Sequence, residues 1–187
     1  MQLTQILDQV YPLPQETREK VIGQVQEVRF EKHHLLMRAG RVEPYLYFIK
    51  SGIVRAYADT GGHEITFWFG SEGETIVSMN SYVAGKPGYE HIELMEPCIL
   101  YELRTAALQQ LYQQDLQIAN WGRKFAEREL IKTEERLISR QFKTAAQRYR
   151  ELLTDSPDLL QRIPLCHIAS YLGITQVSLS RIRSEIR

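Results

Sequence analysis

Between Phe30 and Leu103 the sequence changes its period, and that change limits the folds open to the chain. LLMRAG, LYFIKSGIVRAYAD, HEITFWFG, ETIVSM and CILYEL are short runs of branched and aromatic residues, the kind that suit a pleated, half-buried surface. Gly40, Ser51-Gly52, Gly61-Gly62 and Gly70 punctuate them as turns. Gly61-Gly62, between AYAD and HEITFW, is a strong hairpin signal. Closely spaced strands joined by glycine turns predict an antiparallel sandwich, jelly roll or small barrel.

Helical spacing frames this block on both sides. Residues 1–30 read as short helices, with Pro14 able to occupy a first helical position and Val21, Ile22, Val25 and Val28 as an amphipathic stripe. From about Leu108 the chain turns helical again. Leu111, Ile118 and Phe125 are seven apart and Trp121 fits between them, which is a heptad seam. Gly122 lies in a strip of small residues with Ala119 and Ala126, where another helix could approach closely. A long helix with such a seam, carried by a β-domain, is expected to pair with a second copy, with Ile118, Trp121, Gly122 and Phe125 forming the dimer seam. The other reading packs the same seam on the chain's own β-domain. Thr144–Gln147 resembles a capping box for a helix through Leu153, and residues 154–158, TDSPD, read as a loop.

The stretch Pro164–Arg183, PLCHIASYLGITQVSLSRIR, reads as two short helices joined by a tight turn. Ile168 and Leu172 are one helical turn apart, and small Ala169 lets a second helix cross closely. Gly173 closes the first helix where a left-handed residue is commonly needed. Thr175 stands at an N-cap, and Leu179 and Ile182 carry the buried face of the second helix. This is what a helix-turn-helix needs, although an ordinary helical hairpin shares the pattern. The outward face carries Val177, Ser180, Arg181 and Ser184, with Gln176 at its exposed end and no carboxylate before Glu185. Such a face suits a polyanion.

Composition narrows the class. The chain has 187 residues, 43% hydrophobic and 25% charged, which excludes an intrinsically disordered protein. The apolar runs are far too short for a bilayer, which takes about 20 residues. The first 20 residues have no continuous apolar stretch, so a cytoplasmic protein with no membrane partner is expected. Net charge is zero but divided: residues 1–118 hold 10 Lys and Arg against 15 Asp and Glu, and residues 119–187 hold 13 against 8. A basic C-terminal part points to nucleic acid at that end. Cys98 and Cys166 are the only cysteines, too few for an ordinary iron–sulfur cluster or a paired-cysteine zinc site, and both are expected to be buried thiols. No nucleophile–base constellation and no phosphate-binding loop is visible, so no catalytic residue, no enzyme and no cofactor are expected.

The order of these parts resembles the Crp/Fnr superfamily of bacterial transcription regulators. The resemblance runs through LLMRAG, LYFIKSGIVRAY, Gly73-Glu74 and PLCHIASYLGITQVSLSRIR, the last similar to the version found in Bacteroidetes members. It implies an α+β chain with three parts. Residues 1–112 would be a β-roll or jelly roll of the cyclic-nucleotide-binding kind, 113–140 a long dimerisation helix, and 141–187 an all-α helix-turn-helix domain without an evident wing. Implied partners are double-stranded DNA with a near-palindromic operator, a second copy, and a small-molecule effector.

By family position, Gln176, Val177 and Arg181 would read bases, while Thr175, Ser178, Ser180 and Arg183 would contact phosphates. Many relatives carry Arg-Glu at the first two reading positions, so Gln-Val implies a different operator. In the roll, the Arg-Ser pair that holds a cyclic phosphate falls at Gly88 and Tyr89, and the ribose-binding glutamate falls at Ser78. Within Val77–Glu90, Lys86 is the one cation, and Glu90 puts a negative charge near the phosphate. The usual mode of cyclic-nucleotide binding is therefore not expected. The candidate effector pocket is Ile53, Arg55, Glu74, Ile76, Ser78, Tyr89, Glu90 and Thr133, suited to a small apolar or cationic ligand, with switching through Leu137–Phe142. The alternatives are a cyclic-nucleotide-responsive regulator and a cupin-like metal-binding roll. For the latter, His63-Glu64 and His91 lack the His-x-His spacing, and no metal ligands are assigned. His33, His34, His63 and His91 are haem-ligand candidates by residue type alone.

Overall fold

A computed structural model describes residues 1–186. Two short helices, α1 (Leu3–Val10) and α2 (Gln15–Ile22), lead into β1 (Val25–Phe30), β2 (Leu35–Met37), β3 (Tyr45–Ser51), β4 (Val54–Asp59), β5 (Glu64–Gly70) and β6 (Thr75–Ile76). Helix α3 (Met79–Ala84) precedes β7 (His91–Leu94) and β8 (Cys98–Arg104). Then come α4 (Thr105–Gln114), α5 (Leu116–Phe142), α6 (Ala145–Asp155), α7 (Pro157–Arg162), α8 (Leu165–Leu172) and α9 (Gln176–Ile186).

The strands form two antiparallel four-stranded sheets, ordered β1-β8-β3-β6 and β2-β7-β4-β5. Strand alternation divides the side chains between layers. Tyr47 and Ile49 of β3 face Val54, Ala56, Ile92 and Leu94 across the roll interior. Leu46 and Phe48, on the opposite face of β3, pack under α1, α4 and the first half of α5. Gly61-Gly62 closes the expected β4–β5 hairpin, and both residues have positive φ.

Several boundaries differ from the sequence reading. Residues 25–30 are a strand, because Val25 and Val28 belong to a β1–β8 ladder rather than to the stripe of a helix. The long helix does not begin at Leu108 or 113. Asp115 breaks it, and its carboxylate caps α5 by accepting the Gln117 amide at 2.9 Å. TDSPD is not a loop: Thr154 and Asp155 finish α6, and Pro157 opens α7. The capping box at Thr144 and Gln147 forms as expected. Cys98 is buried but Cys166 is exposed.

Candidate nucleic-acid interface and effector region

The helix pair forms from the residues that the sequence offered. α8 ends at Gly173, whose φ of 69° lies in the left-handed region that costs a side chain steric strain. The next amide, Ile174, returns to the Ala169 carbonyl at 3.0 Å. Thr175 Oγ1 then accepts the Ser178 amide at 3.1 Å, starting α9. Leu179 is fully buried, in one cluster with Ile168, Ala169 and Leu172, and Ile182 and Ile186 flank it. Opposite them Gln176, Val177, Ser180, Arg181 and Ser184 are exposed, with Thr175 at the exposed N-terminal end. Val177 keeps 64% of its surface accessible despite being apolar. Ser178 and Arg183 are half-buried at the edges. Neither Arg181 nor Arg183 has a carboxylate partner among the described residues.

This unit is docked on the outer face of the β2-β7-β4-β5 sheet. Ile53, Phe69 and Met95 of the roll share a core with Tyr149, Ile163 and Ile168. Burying such side chains is worth roughly 1.5–3 kcal/mol each. The backbone of β5 is then tied to α8: Ser170 Oγ accepts the Thr66 amide at 2.9 Å and donates to the Glu64 carbonyl at 2.8 Å. Arg162 of α7 forks between Glu72, at 2.8 and 3.2 Å, and Glu96. Burial alone would raise the Glu72 carboxyl. Hydrogen bonds from Arg162 and from the Gly52 amide outweigh it and hold Glu72 at about 2. His167 of α8 lies over the same face, and burial, reinforced by the nearby Arg55 charge, lowers its pKa.

The expected effector pocket does not assemble as one site. Ile53 and Arg55 share a strand face, so both point out under the helix pair while Val54 and Ala56 point in. Arg55 is 1% exposed, held by Thr66 Oγ1 at 2.8 Å and Glu64 at 2.7 Å, with Glu93 at 3.7 Å. Ile76 is core, Tyr89 is exposed beside Phe67, and Thr133 is exposed with its hydroxyl on its own helix's Glu129 carbonyl at 2.7 Å. Glu74 faces Lys132 of α5 at 3.6 Å.

Ser78 and Glu90 do come together, around Gly88. A Cβ on Gly88 would lie 2.5 Å from Ser78 Oγ and 2.7 Å from Glu90 Oε1. The Gly88 backbone is also pinned to the β2–β3 loop, donating to the Arg41 carbonyl at 3.0 Å and accepting from the Gly40 amide at 2.8 Å. The place that would hold a phosphate-binding arginine is therefore closed and lined by a carboxylate. Both Ser78 Oγ and Glu90 Oε1 are buried without a hydrogen-bond partner.

The residues expected to form a dimer seam are not a free surface. Ile118, Trp121 and Phe125 are buried in the chain's own core against Leu3, Ile6 and Leu7 of α1. The Trp121 indole donates to the Leu7 carbonyl at 2.9 Å and stacks on Phe125. Gly122 admits the Tyr112 ring of α4, which would come within 2.5 Å of a Cβ. Of the two readings of the heptad, the intrachain one holds. The unpartnered surface lies further along α5, where Leu130, Ile131, Leu137, Ile138 and Phe142 are exposed, Leu130 and Phe142 by 68% and 79%.

The four histidines weighed as haem ligands are spread over the roll: His33 faces Glu93 at 2.9 Å, and His91 stacks on Tyr57. Among the described residues no group of three or more His, Cys, Asp or Glu is placed to hold a metal ion. No described helix is long and apolar enough to cross a membrane.

Fold and site together define a two-part protein, a β-roll joined through one long helix to a helix-turn-helix unit. Residues 27–115 match the cyclic nucleotide-binding domain family. FixK2 from Bradyrhizobium japonicum is similar in structure, with a TM-score of 0.72 and 20% identity over 87% of this chain and 84% of that one. The Thermus thermophilus catabolite activator protein matches with a TM-score of 0.61 and 20% identity, over 97% of this chain and 86% of that one. The regulatory domain of Toxoplasma gondii PKA, crystallised with cAMP, matches 58% of this chain with a TM-score of 0.54 and 22% identity, and the chain spans 42% of its length. At these identities the likeness is one of fold. No curated protein matches the sequence. The architecture, antiparallel sheets followed by a long helix and several C-terminal helices, is like that of the catabolite activator protein.

Proposed function

We propose that this protein is a cytoplasmic, homodimeric transcription regulator that reads a near-palindromic DNA site through two copies of α9. The observation that carries the reading is the outward face of α9: Gln176, Val177, Ser180 and Arg181 are exposed, with no carboxylate paired to Arg181 among the described residues. Arg181 would fork onto guanine, Gln176 would pair with adenine, and Val177 would touch a thymine methyl. Thr175, Ser178, Ser180 and Arg183 would hold phosphates. The exposed α5 stripe from Leu130 to Phe142 supports pairing with a second copy, because an apolar helix face of this length is costly to leave in water. Two helices so paired would enter successive major grooves about 34 Å apart.

Input would reach the helix pair through its docked surface on β5. A ligand that prefers one packing of the roll against α8 shifts the population of DNA-competent dimers. The family match of the roll favours a cyclic-nucleotide-responsive variant of this reading, but the closed cassette at Ser78, Gly88 and Glu90 favours a different effector. Titration of the full-length protein with mixed-sequence duplex tests the DNA reading. We expect binding that weakens about a thousandfold or more between 50 and 200 mM salt. Salt-independent binding, or none, contradicts it.

A further inference from the structure

A cleft of about 890 Å³ opens between β5, the C-terminal half of α5 and the α6–α7 pair. That is within the roughly 300–1,000 Å³ range of small-molecule sites. Of the candidate effector residues, only Glu74 lines it.

One side is aromatic: Phe67, Trp68 and Phe69 from β5, with Tyr171 from α8. The half-buried Trp68 ring lies over Gly70, where a Cβ would come within 2.2 Å of it. The other side is cationic. Lys132, Arg136 and Arg140 follow one another along a single face of α5, Lys143 stands just past its C-terminal end, and Arg148 joins them from α6. Four carboxylates also line the cleft, Glu74, Glu135, Glu151 and Asp155. Glu74 lies 3.6 Å from Lys132 and Glu151 lies 2.6 Å from Lys143, so those pairs offset each other. Glu135 and Asp155 are exposed, where water and salt screen them, as they do the exposed Arg140; Arg136 and Arg148 are half-buried and screened less.

Three guanidiniums are left without a carboxylate among the described residues. Arg136 donates to Thr133 Oγ1 on its own helix at 3.2 Å. Arg140 donates to the Thr66 and Tyr171 carbonyls. Arg148 donates to the Lys143 and Leu172 carbonyls, and its Nε is buried without a partner. Guanidinium forks recognise phosphate oxygens, and flat aromatic rings accept a stacked base.

We propose that this cleft binds a linear nucleotide, with its base against Trp68 and Tyr171 and its terminal phosphate on Arg136, Arg140 and Arg148. A terminal phosphate carries about −1.5 to −2 charges, more than the single charge of a cyclic diester, so three arginines favour the linear form. The assignment rests on the reading of the protein as a ligand-switched regulator. A nucleotide there touches β5, α5, α6 and α8 at once, so it fixes the helix pair relative to the roll.

The test is titration of the full-length protein with AMP, GMP, ATP and GTP, read by Trp68 fluorescence and by calorimetry. We expect saturable binding of at least one of them, with a fluorescence change that Trp68→Phe abolishes because Trp121 is buried in the core. Arg136→Ala removes no contact beyond its own helix and is expected to weaken binding about tenfold or more. Guanosine and adenosine, lacking phosphate, should bind at least about tenfold more weakly. Absence of binding below about 1 mM for all four, an unchanged affinity in Arg136→Ala, or tighter binding of cyclic AMP than of AMP overturns the proposal. Duplex binding by the same preparation separates the two claims. DNA binding without nucleotide binding sinks the cleft assignment alone, whereas nucleotide binding without DNA binding sinks the DNA reading alone.

Discussion

Ser170 on α8 accepts the amide of Thr66 on β5 at 2.9 Å, so the first helix of the C-terminal helix pair satisfies the open edge of the β2-β7-β4-β5 sheet. Thr66 is fully buried. Ser170→Ala would leave its amide without a partner, at a cost of about 1–3 kcal/mol. Urea unfolding of the full-length variant should show that loss. A variant as stable as the wild type would mean that the docked surface does not depend on this bond.

The Arg162 fork should give the docked surface an acid dependence. Glu72 is held at about 2 against an ordinary 4.5, so its folded-state pKa lies below its unfolded one. Its contribution is therefore present in full above pH 4.5 and is lost as the pH falls from there toward about 2. Comparing the unfolding of wild type and Glu72→Gln across that window checks it. The stability gap between them should be constant from pH 7 to pH 5 and should narrow below.

Two substitutions on one helix separate folding from pairing. Leu130→Glu and Leu137→Glu alter exposed positions of α5 and should yield folded monomers by sedimentation. Phe125→Ala strikes the core beneath α1 and should cost about 3–5 kcal/mol in stability. Dissociation by Phe125→Ala with unchanged dimers of Leu137→Glu would return the seam to its first position.

The seam's true cover lies out of reach of sequence spacing for a physical reason. A heptad of Ile118, Phe125 and Trp121 says that one helix face is covered, but the cover is α1, more than 100 residues away in sequence, and spacing carries no sign of it. The break before α5 does not show in the apolar spacing, which runs on from Leu111 to Ile118 across the N-cap Asp115. β1 was hidden because Val21, Ile22, Val25 and Val28 satisfy helical spacing by coincidence, and β7 because four residues, HIEL, are too few to show a period. The helix pair was legible almost residue for residue, because its turn needs Gly173 and its core needs Leu179. The effector residues were placed by family position, which put Ile53 and Arg55 in a pocket that strand parity denies them. Three of the cleft cations, Lys132, Arg136 and Arg140, stand on α5 at helical spacing, but nothing in sequence says that β5 lies opposite.

Restoring the family's arginine should not restore the family's ligand. Gly88→Arg would drive a side chain into Ser78 Oγ and Glu90 Oε1 at 2.5 and 2.7 Å. We expect a lowered melting temperature and no cyclic-AMP heat in calorimetry. Binding by this variant at micromolar concentration would show that the cassette opens.

If α9 reads bases as proposed, Arg181→Ala should weaken the preferred site by about 1–3 kcal/mol and relax preference at one base pair. Val177→Ala should relax preference at a thymine with a smaller loss. Competition binding against single-base variants of the selected site checks both.

Selection of genomic DNA fragments by the purified full-length protein, followed by sequencing, tests the central claim most directly. The account predicts an enriched near-palindromic site with half-site centres about 10 base pairs apart, and a changed preference at one position per half-site when Arg181→Ala is used. A fragment pool with no enriched motif, or the same motif from both proteins, would contradict it.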